Sequence, residues 1–253
     1  MGGALNIVGI GPGSATLRTE AALAALAESD LVVGYKFYLG LISDLCAGKE
    51  IYGSSMKAET ERAQYALEAA RKGRRVAVVA GGDACVYGIG GLVLELMDDQ
   101  DLRDIPVQVI PGISASVAAA ALLGGPLMND YVVISLSDLL TDDKLIRKRL
   151  RAAGQGDLAV ALYNPQSRSR RNLLAEARKI LLQYRPASVP VGVVRNAFRK
   201  DQSIMLCTLG DFDVRMEAVD MFSLVIIGDS RSKRKGPFIV TPRGYYTEET
   251  NGL

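Results

Sequence analysis

The chain contains no histidine and no tryptophan among its 253 residues. Without imidazole, histidine metal sites, Ser-His-Asp triads and histidine acid–base chemistry are excluded. Proton transfer is left to carboxylates, tyrosine, lysine, cysteine or water. Cysteine is scarce as well. Cys46, Cys85 and Cys207 are odd in number, far apart and without C-x-x-C spacing. That argues against a disulfide framework and for a reducing compartment. Charge is close to balanced, with a net value of +2, so no global basic field points to nucleic acid. The longest small-apolar stretch, residues 113–123, is too short to span a bilayer. Met1-Gly2-Gly3-Ala4 lacks the basic segment of a signal peptide, and a soluble cytoplasmic protein is expected.

What the chain does have is apolar bulk. Hydrophobic residues make up 49%, enough for one large domain or two small ones. The first half alternates short β-branched runs with helical patterns. Strands are expected at residues 5–10, 31–34, 75–80 and 107–110. Helices are expected at 17–27, 38–45, 60–71, 91–97 and 114–123. In the third of these, Ala63, Ala66, Leu67 and Ala70 fall on one helical face. Such alternation predicts a mainly parallel sheet covered on both faces.

Gly124-Gly125-Pro126 reads as the domain boundary, dividing the chain into 1–125 and 126–245 with a frayed tail at 246–253. Beyond it, strands are expected at 131–136, 157–163, 189–194, 203–208 and 223–228. A strong amphipathic helix is expected at 170–184, and residues 231–235 read as a basic linker. Fewer helices separate these later strands, which predicts antiparallel pairs.

Four special turns follow strands: Gly11-Pro12-Gly13, Gly81 to Gly88, Pro111-Gly112-Ile113-Ser114, and Tyr163-Asn164-Pro165. In an open parallel sheet, ligands bind beyond the carboxyl ends of the strands. The first turn resembles a dinucleotide loop, but its spacing is G-x-G-P-G. Pro12 removes one backbone donor, so the loop suits an adenosine without phosphate better than a pyrophosphate. Asp83 either fixes a ligand's polar end or closes an Asx turn. Ser114 either contacts a ligand or caps the helix that follows it. Arg168, Arg170 and Arg171 precede a helix, where cations oppose the macrodipole. They are either a carboxylate-recognition set or a solvated basic face. Arg195 is a similar strand-end candidate. Thr241-Pro242-Arg243-Gly244-Tyr245 is either a docked tail or in contact with ligand.

Taken in order, G-I-G-P-G, Gly81-Gly82-Asp83, Ile110-Pro111-Gly112-Ile113-Ser114 and Tyr163-Asn164 resemble the tetrapyrrole (cobalamin precorrin) methylases over nearly the whole chain. Val33-Gly34-Tyr35-Lys36, Ser135 to Thr141, Tyr163-Asn164-Pro165 with Ser167 and Arg168, Val194-Arg195-Asn196-Ala197, and Thr241 to Tyr245 resemble the branch that methylates C17 of precorrin-3B. The anaerobic counterpart of that branch acts on cobalt-factor III. The resemblance implies two α/β domains of the tetrapyrrole methylase type with the active cleft between them, a homodimer, S-adenosylmethionine as methyl donor, and no protein-bound metal. It also implies ring contraction alongside methylation. Gly11, Pro12, Gly81, Gly82, Asp83 and Val86 would bind the donor. So would Ser114, Ala115, Tyr163 and Asn164, with Ile227 or Gly228 nearby. Tyr35, Lys36, Lys57, Arg168 and Arg195 are the substrate-binding candidates, and Asp83, Asp130 and Tyr163 the catalytic ones, with Asp138 and Tyr35 as further proton carriers.

Two positions depart from the family pattern. Asn129, within Met128-Asn129-Asp130-Tyr131, stands where the family usually has histidine. Ala84 stands where it usually has proline. Methylation at another ring position, or of uroporphyrinogen III, is the alternative within the class. The alternatives from other classes are an inactive binding protein, which Asn129 motivates, and an NAD(P)-dependent oxidoreductase, which Pro12 disfavours.

Overall fold

The structure is a computed structural model and describes residues 3–167 and 172–245. It divides into two compact units, Met1–Ala115 and Ser116–Leu253. The division falls after the first residue of the helix Ala115–Leu123, whereas the glycine-rich turn suggests a boundary beyond that helix. Arg168, Arg170, Arg171 and the tail 246–253 lie outside the described residues.

The first unit is built from β1 (Ala4–Gly9), α1 (Glu20–Glu28), β2 (Leu31–Tyr35), α2 (Lys36–Leu41), β3 (Glu50–Ser54), α3 (Glu59–Arg71), β4 (Arg75–Ala80), α4 (Gly90–Glu95), α5 (Asp99–Asp104) and β5 (Val107–Ile110). The five strands pair in the order β3-β2-β4-β1-β5, every pair parallel. Alternate residues of β1, β2 and β4 feed opposite cores. Leu5, Ile7, Val33, Val76 and Val78 pack with Ala63, Ala66 and Leu67 of α3. Val8, Val32, Ala77 and Val79 pack with Ala22, Ala25 and Leu26 of α1 and Leu39 of α2. Burial on both faces explains why these strands read as unbroken apolar runs.

Local chemistry sets the helix starts. The Thr19 hydroxyl accepts the Ala22 N–H at 3.1 Å, so α1 begins at Glu20, while residues 15–17 make a separate 3-10 turn capped by Ser14. A capping box between Asp98 and Asp101 starts α5, a helix the apolar pattern does not reveal. The edge strand β3 also escapes the pattern, because Ile51 is exposed and Gly53 interrupts the run.

The second unit comprises α6 (Ala115–Leu123), β6 (Gly124–Gly125), β7 (Tyr131–Ser135), α7 (Asp143–Gln155), β8 (Ala159–Tyr163), α8 (Asn172–Leu181), β9 (Pro190–Arg195), β10 (Ser203–Thr208), β11 (Ser223–Ile227), β12 (Lys233–Lys235) and β13 (Phe238–Val240). Its main sheet has the order β10-β9-β11-β8-β7. β7 and β8 are parallel, and β11 runs antiparallel to both β8 and β9. The expected antiparallel pairs are therefore present. One face packs on α7 and α8 through Ile146, Leu150, Leu174, Ala177 and Leu181. The other approaches α6 at Gly192, where a methyl group would sit 2.5 Å from Leu123 Cδ1.

Residues 231–235, expected as a linker, instead include β12, which pairs antiparallel with β13. β13 in turn pairs parallel with Gly124 and Gly125. Thr241 is fully buried and donates to Pro126 O at 2.8 Å, so the chain is docked at this residue. Among the described residues, no helix is long and apolar enough to cross a membrane.

Candidate active site

In an all-parallel sheet every strand delivers its carboxyl end to one edge. The neighbours β4, β1 and β5 thereby bring three of the four special turns side by side. Gly11 and Gly82 exchange backbone hydrogen bonds, N–H to O at 3.0 Å one way and 2.8 Å the other. Asp83 ties the rest together. Its Oδ1 accepts from Cys85 N at 2.8 Å and Val86 N at 3.2 Å, and its Oδ2 accepts from Gly112 N at 3.0 Å across to the neighbouring turn. The Asx turn and the cross-loop contact are made by one carboxylate. Both oxygens accept from backbone donors, so Asp83 ties the two loops together.

The turns approach so closely that side chains do not fit. A methyl group on Gly9 would lie 2.6 Å from Gly112 N, and one on Gly112 would run into the Gly82 carbonyl and sit 2.7 Å from Gly9 C. Gly11 adopts φ +72°, a conformation glycine takes without steric cost. Tyr87, with φ +52°, holds a strained left-handed backbone in the Gly81–Gly88 loop.

This wiring has a chemical consequence. A pyrophosphate nest needs several backbone N–H groups pointing at the ligand. Here Gly11, Gly82, Cys85, Val86 and Gly112 spend theirs inside the loops, and Pro12 has none. With these five donors used internally and Pro12 lacking one, the turns are poorly equipped as a pyrophosphate nest. Val86 and Tyr87 expose apolar surface beside it, while Gly82 and Pro12 are buried.

Farther along the same edge, β2 and β3 end in register, Tyr35 opposite Ser54. Tyr35 is half-buried, and Lys36 and Lys57 are exposed, so three of the substrate candidates gather here. Arg62 is buried and donates to Ser54 Oγ at 2.7 Å and Ser55 O at 2.8 Å, which shapes the loop that presents Lys57 at φ +70°. Arg18 pairs with Asp44 at 2.6 Å and donates to Leu41 O, pinning the segment after Gly13 to the end of α2. Neither arginine was singled out from the sequence. No local motif marks them, because their partners come from other loops.

In the second unit, Tyr163 and Asn164 stand where β8 ends. The Tyr163 hydroxyl accepts the Ser116 N–H at 2.8 Å and donates to Ser116 Oγ at 3.2 Å, satisfying the first turn of α6. Asn164, at φ +50°, donates to Ser135 Oγ at the end of β7 at 2.9 Å. Arg195 lies at the same sheet edge, opposite Ser223. Its Nε donates to Asp220 at 2.8 Å, and its guanidinium lies 5.9 Å from the Phe222 ring centre. Burial raises the Asp220 pKa, but hydrogen bonds from Arg195, Ser223 and the Phe222 N–H outweigh it and leave the carboxyl below its usual range. Asn196, after β9, repeats the positive φ of Asn164.

Two candidates lie elsewhere in this unit. Ile227 pairs with Val160 and Val191 near the starts of β8 and β9, and its side chain is fully buried in the core against α7 and α8. Asp130 is exposed before β7, where its carbonyl accepts the Ala159 N–H. Both are at the sheet edge opposite Tyr163 and Arg195. Gly228 is held there too, donating to Pro190 O at 3.1 Å. Asp138 is exposed beyond the end of β7. Among the described residues, no three His, Cys, Asp or Glu side chains are grouped to hold a metal ion.

Three glycine-rich turns gathered at the carboxyl edge of a parallel sheet, where open α/β sheets bind ligands, give the chain the architecture of a small-molecule-binding α/β protein. Residues 4–213 match the family model of the Tetrapyrrole (Corrin/Porphyrin) Methylases. The chain belongs to this family. It is 47% identical over 241 residues to a probable cobalt-factor III C(17)-methyltransferase of Salmonella typhimurium, covering 95% of this chain and 99% of the relative. It is 37% identical over 252 residues to a precorrin-3B C(17)-methyltransferase of Sinorhizobium sp, covering 97% and 98%. The crystal structure of the methyltransferase CobJ superposes with a TM-score of 0.88 at 35% identity, covering 95% of this chain and all of that one. The resemblance stated from the motifs, and the α/β fold it implied, are thus borne out.

Proposed function

We propose that this chain transfers a methyl group from S-adenosylmethionine to C17 of precorrin-3B or cobalt-factor III in cobalamin biosynthesis. The observation that carries the donor assignment is the internal pairing of the loop N–H groups around Pro12. It favours a nucleoside without phosphate over a dinucleotide. The substrate assignment is supported by the two named relatives, each matched along almost its whole length.

The sulfonium supplies an activated methyl group and a neutral leaving group. The electron pair of the breaking C–S bond stays on sulfur as the nucleophilic ring carbon takes the methyl. The protein's share is alignment and exclusion of water, which needs neither histidine nor metal. In this reading Gly11, Pro12, Gly81, Gly82, Val86, Ser114, Ala115, Tyr163 and Asn164 are the donor-binding residues. Tyr35, Lys36, Lys57 and Arg195 receive the tetrapyrrole and its carboxylates. Arg168 belongs to that set from the sequence resemblance. The reading includes a cytoplasmic homodimer, for which light scattering tests the assembly.

Incubating the protein with S-adenosylmethionine and each tetrapyrrole in parallel, followed by mass spectrometry, tests the reaction. A product one methyl heavier is expected from at least one substrate. Absence of a methylated product from both would sink the reading.

A further inference from the structure

We propose that Tyr35, Phe37 and Tyr38 form an aromatic platform for the conjugated face of the tetrapyrrole, with Tyr38 positioning that platform against the methyl-donor loop. The inference rests on the tetrapyrrole reading above.

The three rings cluster where β2 turns into α2, at the edge that carries the donor loops. Tyr35 and Tyr38 meet edge to face, with ring centres 5.4 Å apart at 88°. Phe37 and Tyr38 are 5.9 Å apart at 65°, and Tyr35 and Phe37 are 6.2 Å apart at 35°. All three residues are half-buried, so part of the cluster faces solvent. The rim is cationic. Lys36 and Lys57 are exposed beside it, with the Lys36 stem lying along Gly53, 3.2 Å from where that residue's Cβ would be. Because the rings are inclined to one another, a flat π-system with carboxylates at its periphery would stack on one ring and meet the edges of the others, with the ammonium groups at its rim.

Tyr38 does more than join the cluster. Its ring lies against the backbone of Gly81, where a methyl group would be 2.5 Å from Cε1 and 2.8 Å from Cζ. Gly81 is not among the positive-φ glycines, so its missing side chain is explained by this ring and not by backbone conformation. Tyr38 also packs against the core that contains Leu26 of α1 and Leu39 of α2. One side chain therefore touches the donor loop, the aromatic cluster and the core. A ring wedged in this way fixes how far the platform stands from the loop.

A purely structural Tyr38 would, on truncation, weaken donor binding and stability together. A platform residue instead weakens tetrapyrrole binding selectively. The experiment titrates the wild type, Tyr38→Leu and Tyr38→Phe with uroporphyrin III, a stable porphyrin bearing carboxylates, by fluorescence. S-adenosylhomocysteine is titrated into the same proteins by calorimetry. Tyr38→Leu is expected to weaken uroporphyrin III by roughly tenfold, the scale of one lost aromatic contact, and S-adenosylhomocysteine by less than about threefold. Tyr38→Phe should restore most of the porphyrin affinity. If Tyr38→Leu does not fold, Phe37→Leu reports on the same platform without altering the Gly81 contact, with the same selective loss expected. Unchanged porphyrin affinity, equal loss of both ligands, or no uroporphyrin III binding by the wild type overturns the proposal. Selective loss in a protein that methylates neither precursor would sink the proposed reaction and leave the platform standing.

Discussion

The two units use sheets of similar size to different effect. The first is parallel throughout, so each strand-end loop opens at the same edge. The second mixes directions, and β11 runs against its neighbours. Its loops are shared between two edges. Tyr163, Asn164 and Arg195 fall on one, while Asp130, Ile227 and Gly228 fall on the other. A glycine or polar residue after a strand thus carries different meaning in the two units. In the first it marks the one edge at which every strand ends, and in the second its place depends on strand direction.

The largest expected effect comes from setting one glycine in each unit against the other. In Gly112→Ala the new methyl meets backbone of two adjacent turns, which can yield only by moving the loops. S-adenosylhomocysteine affinity should fall by roughly a hundredfold or more, and stability by about 1–3 kcal/mol. In Gly228→Ala the methyl meets the Ser232 side chain at the far edge of the second unit. Stability should drop by a similar ~1–3 kcal/mol with donor affinity unchanged. Calorimetric titration and denaturant unfolding of both variants read the contrast, and equal loss of affinity would break it.

Next in size is Asp83→Ala, which strips the acceptors of three N–H groups. Donor affinity should fall about tenfold to a hundredfold, on the scale of 1–3 kcal/mol for hydrogen bonds to a charged group. Asp83→Asn should keep part of that affinity without moving the pH profile of kcat. A shifted profile would mark Asp83 as a proton carrier.

Tyr163→Phe tests the matching loop of the second unit. It removes the acceptor of the Ser116 N–H at the start of α6. A stability loss of about 0.5–2 kcal/mol in denaturant unfolding is expected, as for a lost helix cap. No loss would mean that the hydroxyl is not what satisfies that helix.

The smallest effect concerns Asp30, at the start of β2 and far along the chain from the ligand turns. A side-chain hydrogen bond from Arg75, helped by the Arg75 backbone N–H, lowers its pKa from 3.8 to about 2. A depressed folded pKa contributes stability above pH 3.8 that is lost as pH falls toward 2. In Arg75→Ala, NMR titration should return Asp30 toward its ordinary value while donor binding at neutral pH stays unchanged. An Asp30 midpoint that does not move would remove this ion pair as the cause.

Much of the first unit was legible in the sequence because burial on both faces writes parallel strands as continuous apolar runs. The exceptions were β3, an edge strand with exposed Ile51, and α5, whose start depends on an Asp98 cap. In the second unit α7 was missed. Lys144, Arg147, Lys148, Arg149 and Arg151 mask the stripe of Ile146, Leu150, Ala153 and Gly154 that is buried. The parts of α8 and the tail that were expected beyond the described residues stay as expectations. Among site residues, the three turns after β1, β4 and β5 were legible from glycine spacing. The place of Ile227, at the sheet edge opposite Tyr163, was not legible, because it depends on the direction of β11, which no residue in that strand announces. Arg18, Arg62 and Tyr38 were invisible for a related reason: each acts through a partner brought close only by folding.

Parallel calorimetric titrations of S-adenosylhomocysteine and NAD+ against the wild type and Gly112→Ala test the donor loops most directly. Saturable S-adenosylhomocysteine binding to the wild type, its loss in Gly112→Ala, and no binding of NAD+ are predicted. Tight NAD+ binding without S-adenosylhomocysteine binding would contradict the phosphate-free cradle around Pro12.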